Sequence, residues 1–327
     1  MEFTKLIEKY DRSDMLSLIR GIPDHILDAA DIARGFDFEM ERPENIVIAG
    51  MGGSGVGGSF LVDMLKDRLD IPIFVHNGYS LPKFAGKKTL LFAVSYSGNT
   101  EETISAYQEA EKRGTTIVPI ASGGRLGEMA KDFVKIPAGN APRTMLVYTF
   151  VPMVVILEKI GLIGDEVDGV YQNIRDHMGE FEERGKELAG ELKDTLPVIF
   201  SSAPFGTVSY RWNTQLSENS KVLSVYGQIP EMNHNTINVE PDEAEISFVF
   251  LRYGDEPDRI KQRIEISKRT FENYGKVIEV NGLGGSYLDT MLSLTIIGDF
   301  TSYYLALLRE KDPTEMENIE NLKKELA

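Results

Sequence analysis

The chain has 327 residues, which at roughly 150 residues per domain suggests two domains with cores large enough to need no cross-links. It contains no cysteine, which excludes disulfide scaffolds and cysteine-based zinc or redox sites. Its 51 acidic and 35 basic residues leave a net charge of −16. That charge argues against nucleic acid or an anionic membrane as the main partner, because both attract basic surfaces.

The sequence carries no pattern of export or membrane insertion. Its first residues lack the basic, apolar and small-residue regions of a signal peptide. The two longest apolar windows, 145–160 and 287–308, are interrupted by polar residues and fall short of a spanning helix. We therefore expect a soluble, cytoplasmic protein.

After helical material to about residue 40, short apolar runs alternate with amphipathic stretches in the first half of the chain. The runs are rich in β-branched residues and bounded by Gly, Pro, Asn or charge, which is typical of buried strands. The predicted strands are 46–49, 71–75, 89–94, 115–120 and 133–136. The predicted helices are 58–68, 99–113, 126–132 and 145–160. This alternation indicates βα units and a parallel sheet.

The second half repeats the alternation after a long helix at 167–192 that is charged on one side. Its predicted strands are 196–202, 221–226, 245–253 and 276–280. Its predicted helices are 208–219, 258–274, 286–308 and 314–326. The chain is therefore predicted to be α/β, with two doubly wound domains, each a parallel sheet flanked by helices. We place these domains at 1–160 and 161–327, joined by the long helix.

A glycine-rich segment, 50–59, lies between the first strand and the following helix. Glycines there let the backbone approach a ligand and expose the N–H groups of a helix N-terminus. Gly50, Gly52 and Gly55 also match the dinucleotide fingerprint, but that site needs an acidic residue after the second strand, and residues 75–78 supply none. A nucleotide P-loop would need a lysine that the segment lacks. The segment indicates an anion or sugar site, with a purely structural glycine turn as the alternative.

A loop rich in hydroxyl groups follows the third strand and contains Ser95, Ser97 and Thr100. It lies at the carboxyl edge of the sheet, where such folds bind ligands. Hydroxyls and the N–H groups of a first helical turn can hold a phosphate without lysine. The alternative is an ordinary capping box, with Asn99 or Thr100 followed by acids. Beside the glycine segment, phosphate binding is the favoured interpretation.

Both loops resemble the sugar-isomerase (SIS) domain, which holds phosphosugars in this way: residues 52–55 (Gly-Gly-Ser-Gly) and 95–103 (Ser-Tyr-Ser-Gly-Asn-Thr-Glu-Glu-Thr). Three further segments resemble the bifunctional phosphoglucose/phosphomannose isomerases, known mainly from archaea: residues 141–144 (Ala-Pro-Arg-Thr), 215–221 (Gln-Leu-Ser-Glu-Asn-Ser-Lys) and 231–235 (Glu-Met-Asn-His-Asn). The resemblance runs through both halves of the chain. It implies two SIS-type domains, a homodimer, and no metal or other cofactor.

This resemblance assigns the substrate site to the two loops. The phosphate is expected on Ser95, Ser97 and Thr100, and the sugar is expected against Gly52, Gly53 and Ser54.

The predicted helix 208–219 carries the candidate base. One of its faces is apolar at helical spacing, and another face carries Arg211, Gln215 and Glu218, so Glu218 could point into a cleft. The alternative is a surface ion pair of Glu218 with Lys221. By the resemblance, Glu218 is the base that moves the carbon-bound proton.

Two further side chains complete the expected chemistry. His234 lies in a polar loop, where an exposed histidine is the alternative. The resemblance implies that His234 opens the sugar ring and reaches the site from the partner subunit. Arg143 follows Pro142 in a loop and could stabilise an enediolate, because its guanidinium stays charged. A helix-terminus or surface salt bridge is the alternative for Arg143.

The resemblance also implies a catalytic lysine near the C-terminus. Lys323 fits best, and the neighbouring Lys324 is the alternative. Activity toward mannose phosphate would depend on a small residue near this helix. Met316 lies close to that position, which leaves the second activity open.

Interconversion of an aldose and a ketose phosphate needs a carboxylate base and positive charge for the enediolate. We expect a metal-independent isomerase of glucose 6-phosphate and fructose 6-phosphate, with mannose 6-phosphate as a second aldose, acting through a cis-enediol. The chain has no His-Glu-x-x-His pattern, so zinc-dependent mannose-phosphate isomerases are a poor template. An aminotransferring isomerase usually requires an N-terminal cysteine nucleophile, and this alternative is excluded because the chain contains no cysteine. The remaining alternative is a non-catalytic SIS module that senses a phosphosugar and needs neither Glu218 nor His234.

Overall fold

The computed structural model describes residues 3–241 and 245–326, without the side chains of residues 320, 323 and 326. The chain separates into two compact units. The N-terminal unit is Gly21–Arg175, and the C-terminal unit combines Met1–Arg20 with Asp176–Ala327. The first two helices, α1 (Phe3–Tyr10) and α2 (Met15–Arg20), therefore group with the second half of the chain.

The N-terminal unit alternates strands and helices along most of its length. Its elements are α3 (Ile22–Gly35), β1 (Asn45–Ala49), α4 (Gly52–Leu65), β2 (Ile73–His76), β3 (Thr89–Ser95), α5 (Glu101–Arg113), β4 (Thr116–Ala121), α6 (Gly124–Met129), β5 (Val134–Lys135) and α7 (Leu146–Lys159). Its five strands form one parallel sheet in the order β2-β1-β3-β4-β5, with Ile46 of β1 opposite Ile73 on one side and Leu90 on the other. Strand β3 is buried along its whole length, as expected for a parallel strand covered on both faces.

The C-terminal unit repeats this plan on a smaller sheet. Helix α8 (Val170–Leu192) leads into it, and its further elements are β6 (Leu196–Ser202), α9 (Gly206–Glu218), β7 (Val225–Ile229), β8 (Ile246–Arg252), α10 (Asp258–Phe271), β9 (Lys276–Asn281), α11 (Tyr287–Leu308) and α12 (Glu317–Leu326). Four parallel strands pair in the order β7-β6-β8-β9. Ile199 of β6 lies opposite Tyr226 and Val249. Strand β7 is thus an edge strand beside β6.

Aromatic rings fill one side of this second sheet. The ring of Phe271 on α10 stacks on Phe248 at 4.2 Å and on Phe200 at 5.6 Å between centroids. Helix α11 forms much of the remaining core and begins with a capping box between Ser286 and Asp289. By length and composition α11 could cross a membrane, but 94% of its most apolar window is buried inside the protein.

Two α/β units with parallel sheets flanked by helices confirm the predicted fold class. Three predicted elements are placed differently. The segment expected to be a glycine turn is already helical from Gly52, and the last helix begins at Glu317 rather than at residue 314. The strand predicted at 221–226 instead runs from Val225 to Ile229. Asn219 and Ser220, just before the predicted strand, form a turn that is hydrogen-bonded to α11, and Lys221 has a left-handed φ of +57° that a strand cannot contain.

Candidate active site

The glycines after β1 allow helix α4 to begin very close to the sheet. Gly52 adopts a φ of +53°, in the left-handed region that favours glycine. A Cβ on Gly50 would lie 3.1 Å from the carbonyl oxygen of Val94, and one on Gly55 would lie 2.9 Å from that of Gly50. Part of the glycine pattern is therefore required by packing. The same packing brings the N-terminus of α4 to the carboxyl ends of β1 and β3.

Ser54 joins the glycine segment to the hydroxyl loop. Its Oγ accepts a hydrogen bond of 3.2 Å from the backbone N–H of Tyr96, and the residue is buried. The sequence alone groups Ser54 with Gly52 and Gly53 as sugar contacts. The structure shows that its hydroxyl holds together two loops that follow different strands.

The hydroxyl loop has a geometry that differs from an ordinary helix cap. The Oγ of Ser95 lies 2.9 Å from Oγ1 of Thr100 and 3.4 Å from the backbone nitrogen of Thr100. Thr100 is the N-cap residue of α5, yet its side chain makes no capping hydrogen bond. The capping-box alternative is therefore wrong for Thr100, and its hydroxyl pairs with Ser95 instead. Ser97 is exposed, and its Oγ accepts from the N–H of Asn99 at 3.2 Å.

Gly98 closes this loop against the segment before α6. It has a φ of +70°, and a Cβ there would collide with the carbonyl oxygen of Gly123. The backbone oxygen of Gly98 accepts from the N–H of Leu126 at 2.8 Å. The hydroxyl of Tyr96 accepts from the N–H of Asn140 at 3.0 Å. These contacts connect the hydroxyl loop to the start of α6 and to the segment before α7, and they hold its conformation.

Arg143 lies in the same unit as both loops, but it does not lie in a loop as the sequence predicts. It belongs to a short 3₁₀ helix, Pro142–Met145, which leads directly into α7. The residue is buried, which rules out the surface salt bridge considered for it. A Cβ on Gly53 would lie 3.9 Å from the Cα of Arg143. The backbone at Arg143 therefore packs beside the start of α4.

Glu218 is the last residue of α9 and is half-buried. The apolar face predicted for this helix is confirmed, since Val208, Trp212 and Leu216 are all buried. Arg211 and Gln215, which are predicted to share a second face with Glu218, are buried as well. Among these three residues, Glu218 alone is partly accessible.

Lys221 links the end of α9 to the chain before α12. Its Nζ donates to the backbone oxygens of Glu218 at 2.6 Å and of Glu315 at 2.7 Å. A longer contact of 3.3 Å reaches the backbone oxygen of Asp312. A positive φ of +57° turns the backbone at Lys221 so that these bonds can form. The Lys221 side chain thus connects the end of α9, where Glu218 lies, to residues 312–315 before α12.

His234 ends a 3₁₀ helix, Glu231–His234, that follows β7. The sequence predicts a loop here, and the structure shows this short helix with the histidine exposed. Its neighbour Asn233 is held on α10, because the Asn233 Nδ2 donates to the Oγ of Ser267 at 2.8 Å. His234 is therefore exposed at the surface, next to a residue whose side chain is hydrogen-bonded to α10.

The candidate C-terminal lysine lies on the last helix. The side chain of Lys323 lies outside the described part of the structure, although its backbone belongs to α12. Lys324 is exposed, and Met316 is half-buried just before the helix. Over the described residues, no group of three or more His, Asp or Glu side chains is arranged to hold a metal ion.

The candidate residues divide between the units. The hydroxyl loop, the glycine-rich segment and Arg143 belong to the N-terminal unit, whereas Glu218, His234 and Lys323 belong to the C-terminal unit. Sequence reasoning does not identify Asp299, a buried carboxylate on α11 that accepts hydrogen bonds from Arg211 and Gln215. An aspartate in the middle of a long, largely apolar predicted helix is the signal that could have found it.

Two family models match the chain. The SIS domain matches residues 39–160, and the bacterial phospho-glucose isomerase C-terminal SIS domain matches residues 181–326. Together these matches cover both of the parallel sheets.

Curated relatives match most of the chain. The bifunctional phosphoglucose/phosphomannose isomerase of Thermoplasma volcanium is 38% identical over 89% of this chain and 94% of that protein. A protein of the same name from Caldicellulosiruptor bescii is 34% identical over 96% of this chain and 99% of that protein. Among solved structures, the C-terminal domain of glucosamine-fructose-6-phosphate aminotransferase from Francisella tularensis superposes with a TM-score of 0.73 over 92% of this chain and 98% of that chain. It is only 13% identical, so the likeness shows the fold alone.

Proposed function

This chain belongs to the family of bifunctional phosphoglucose/phosphomannose isomerases and is an isomerase, and from that premise we propose that it interconverts glucose 6-phosphate and fructose 6-phosphate. We further propose mannose 6-phosphate as a second aldose. The reaction would proceed without a metal, through a cis-enediol intermediate.

The observation that carries the proposal is the pairing of Ser95 with Thr100 at the start of α5. Because the Thr100 hydroxyl does not cap the helix, the first N–H groups of α5 are left for another acceptor. The helix dipole favours an anion at that end. A phosphate held there by Ser95, Ser97 and Thr100 would obtain local attraction in a chain whose net charge is −16. The start of α4 at Gly52 and Gly53 would then line the sugar.

The remaining candidate residues would supply the chemistry. Glu218 would take the proton from C1 of the open-chain ketose and return it to C2, while a second proton moves between O1 and O2. The guanidinium of Arg143 would stabilise the negative oxygen of the enediolate. Lys323 would be a further catalytic residue in the same site. His234 would open the sugar ring by moving a proton between the ring oxygen and the hydroxyl on the anomeric carbon.

We propose that the protein acts as a homodimer in which His234 serves the partner's site. The support for a dimer is the exposed apolar surface near His234. Strand β7 is an edge strand, and it displays Val225 and Tyr226 to solvent. Leu223, just before this strand, is 78% exposed. An exposed apolar strand edge is costly in water unless another chain covers it. We also propose a cytoplasmic location, where sugar phosphates are available.

The test is isomerisation of fructose 6-phosphate in EDTA, with glucose and mannose products resolved, for the wild type and Glu218→Gln. The matched control is Glu272→Gln, which changes an exposed carboxylate at the C-terminal end of another helix, α10. We expect both products from the wild type and the control, and a loss of at least ~100-fold in kcat for Glu218→Gln. Glucose product alone would keep the mechanism and remove the mannose activity.

Three other outcomes would correct the proposal. Binding of sugar phosphate without turnover would favour the non-catalytic module. Activity that disappears in EDTA and returns with a divalent ion would refute metal independence. Mixing Glu218→Gln chains with His234→Ala chains should restore part of the activity if the site is shared between subunits. Failure of that mixture, with each variant dimeric, would place His234 in the site of its own chain.

A further inference from the structure

Helices α9 and α11 meet through buried charge rather than through apolar contact alone. The Nη2 of Arg211 lies 3.0 and 3.1 Å from the two carboxylate oxygens of Asp299, and the Nε2 of Gln215 donates to Oδ1 of Asp299 at 2.9 Å. All three residues are buried. The Oε1 of Gln215 has no hydrogen-bond partner among the described residues.

Stability alone does not account for this arrangement. Removing two charges from water is costly, and well-packed apolar residues of similar volume are often as stable as a buried ion pair or more so. Buried polar groups can, however, specify which register two elements adopt, because only one register satisfies their hydrogen bonds. The buried position of Asp299 in the middle of α11 suits that second role.

Neighbouring contacts restrict the same helix pair. The Nε1 of Trp212 donates to the backbone oxygen of Leu294 at 2.8 Å. A Cβ on Gly298 would collide with the indole ring of Trp212, so the helices approach closely here. Beyond the end of α9, Asn219 and Ser220 form hydrogen bonds of 3.0 and 2.7 Å to Ser302 on α11. Glu218 is therefore flanked on both sides by residues anchored to α11.

We infer that Arg211, Asp299 and Gln215 form a positioning network that sets the register of α9 on α11 and thereby places the Glu218 carboxylate. Gln215 lies one helical turn before Glu218, and Arg211 lies two turns before it. A helix that slides or rotates here would displace Glu218 directly. The inference rests on the proposed function, in which Glu218 is the base, and the three residues act through it without touching the substrate.

The test is the double variant Arg211→Met/Asp299→Leu, which removes both charges of the pair together. Thr301→Val is the matched control, because Thr301 is also buried on α11 but its hydroxyl bonds only to Ile297 of the same helix. Displacement of a reacting group by about 1 Å can lower the rate about 100-fold. We expect kcat of the double variant to fall ~10- to 100-fold with KM within about twofold of the wild type, and the control to be unchanged.

A double variant that keeps the wild-type kcat while Glu218→Gln is inactive would overturn the positioning role and leave the proposed function intact. A raised KM with unchanged kcat would overturn it too, because the network would then support binding. If Glu218→Gln itself remains active, the proposed base is wrong, whatever the double variant does. If the double variant fails to fold, Gln215→Met is the second variant, because it keeps the ion pair between Arg211 and Asp299. A fall in kcat of Gln215→Met at constant KM would support the positioning role. An unchanged kcat would refute it.

Discussion

Glu182 on α8 is a nearly buried carboxylate held by three donors, and its replacement should weaken the C-terminal unit in a pH-dependent way. The Nε of Arg20 and the hydroxyl of Tyr304 donate to it at 2.7 and 2.6 Å, and the Nζ of Lys186 lies 3.1 Å away. Its side chain is 11% exposed. Burial by itself would raise the pKa of Glu182, but the hydrogen bonds from Arg20, Tyr304 and Lys186 outweigh it and lower the pKa to about 2.

The magnitude follows from this pKa. A shift from 4.5 to about 2 corresponds to about 3 kcal/mol of folding free energy, at ~1.4 kcal/mol for each pH unit. Because the pKa is lower in the folded state, the ionised carboxylate stabilises the fold above the unfolded-state pKa. This contribution disappears as the pH falls from about 5 toward about 2. Glu182→Gln should therefore cost about 3 kcal/mol at pH 7 and less than half of that at pH 3.

The assay is urea unfolding followed by the fluorescence of Trp212, which is the single tryptophan and is buried in the same unit as Glu182. Glu183→Gln is the matched control, because this neighbouring side chain is 70% exposed and its removal should change stability by no more than ~0.5 kcal/mol. A loss of stability for Glu182→Gln that is equal at pH 7 and pH 3 would refute the argument, since the contribution would not depend on ionisation.

Three further changes test other parts of the structure. Ser95→Ala should raise KM for fructose 6-phosphate at least ~10-fold in steady-state kinetics with little change in kcat, because a phosphate contact is uniform binding; an unchanged KM would contradict the phosphate site. Gly98→Ala should destabilise the N-terminal unit by about 3 kcal/mol or more in urea unfolding, since its φ and the carbonyl of Gly123 exclude a Cβ, whereas Gly86→Ala, with open space around it, should have little effect. Lys221→Met should make the segment before α12 more sensitive to proteolysis, with ~1–3 kcal/mol lost; equal cleavage rates would contradict its role.

Most of the fold can be predicted from the sequence because its signals are local. The sequence predicts strand β6 with its observed bounds, 196–202, and the predicted β1 and β3 differ from the observed strands by a single residue at one end. It misses the start of α4 because seven consecutive positions with five glycines are typical of a turn, and only packing against β1 and β3 makes them helical. The late start of β7 has the same kind of cause, since Ser302 on a distant helix holds the turn at Asn219 and Ser220 and the backbone at Lys221 is left-handed.

The candidate site shows the same division. The residue types of the glycine segment and of the hydroxyl loop predict an anion or sugar site beside a phosphate site, and only the family resemblance makes the expected ligand a phosphosugar. The sequence cannot decide whether Thr100 caps α5 or pairs with Ser95, because both arrangements use the same residues at the same spacing. Nor can it distinguish an exposed Arg143 from a buried one.

The sequence by itself determined the alternation of strands and helices, the apolar faces, and the chemical character of the loops, because periodicity and residue type act over a few neighbouring positions. Only the tertiary structure decided that Ser54 binds the backbone of Tyr96 and that Asp299 lies against Arg211. These partners are 42 and 88 residues apart in the chain. Contacts over such separations depend on how whole elements pack, and no local pattern in the sequence specifies which distant group will satisfy a given donor or acceptor.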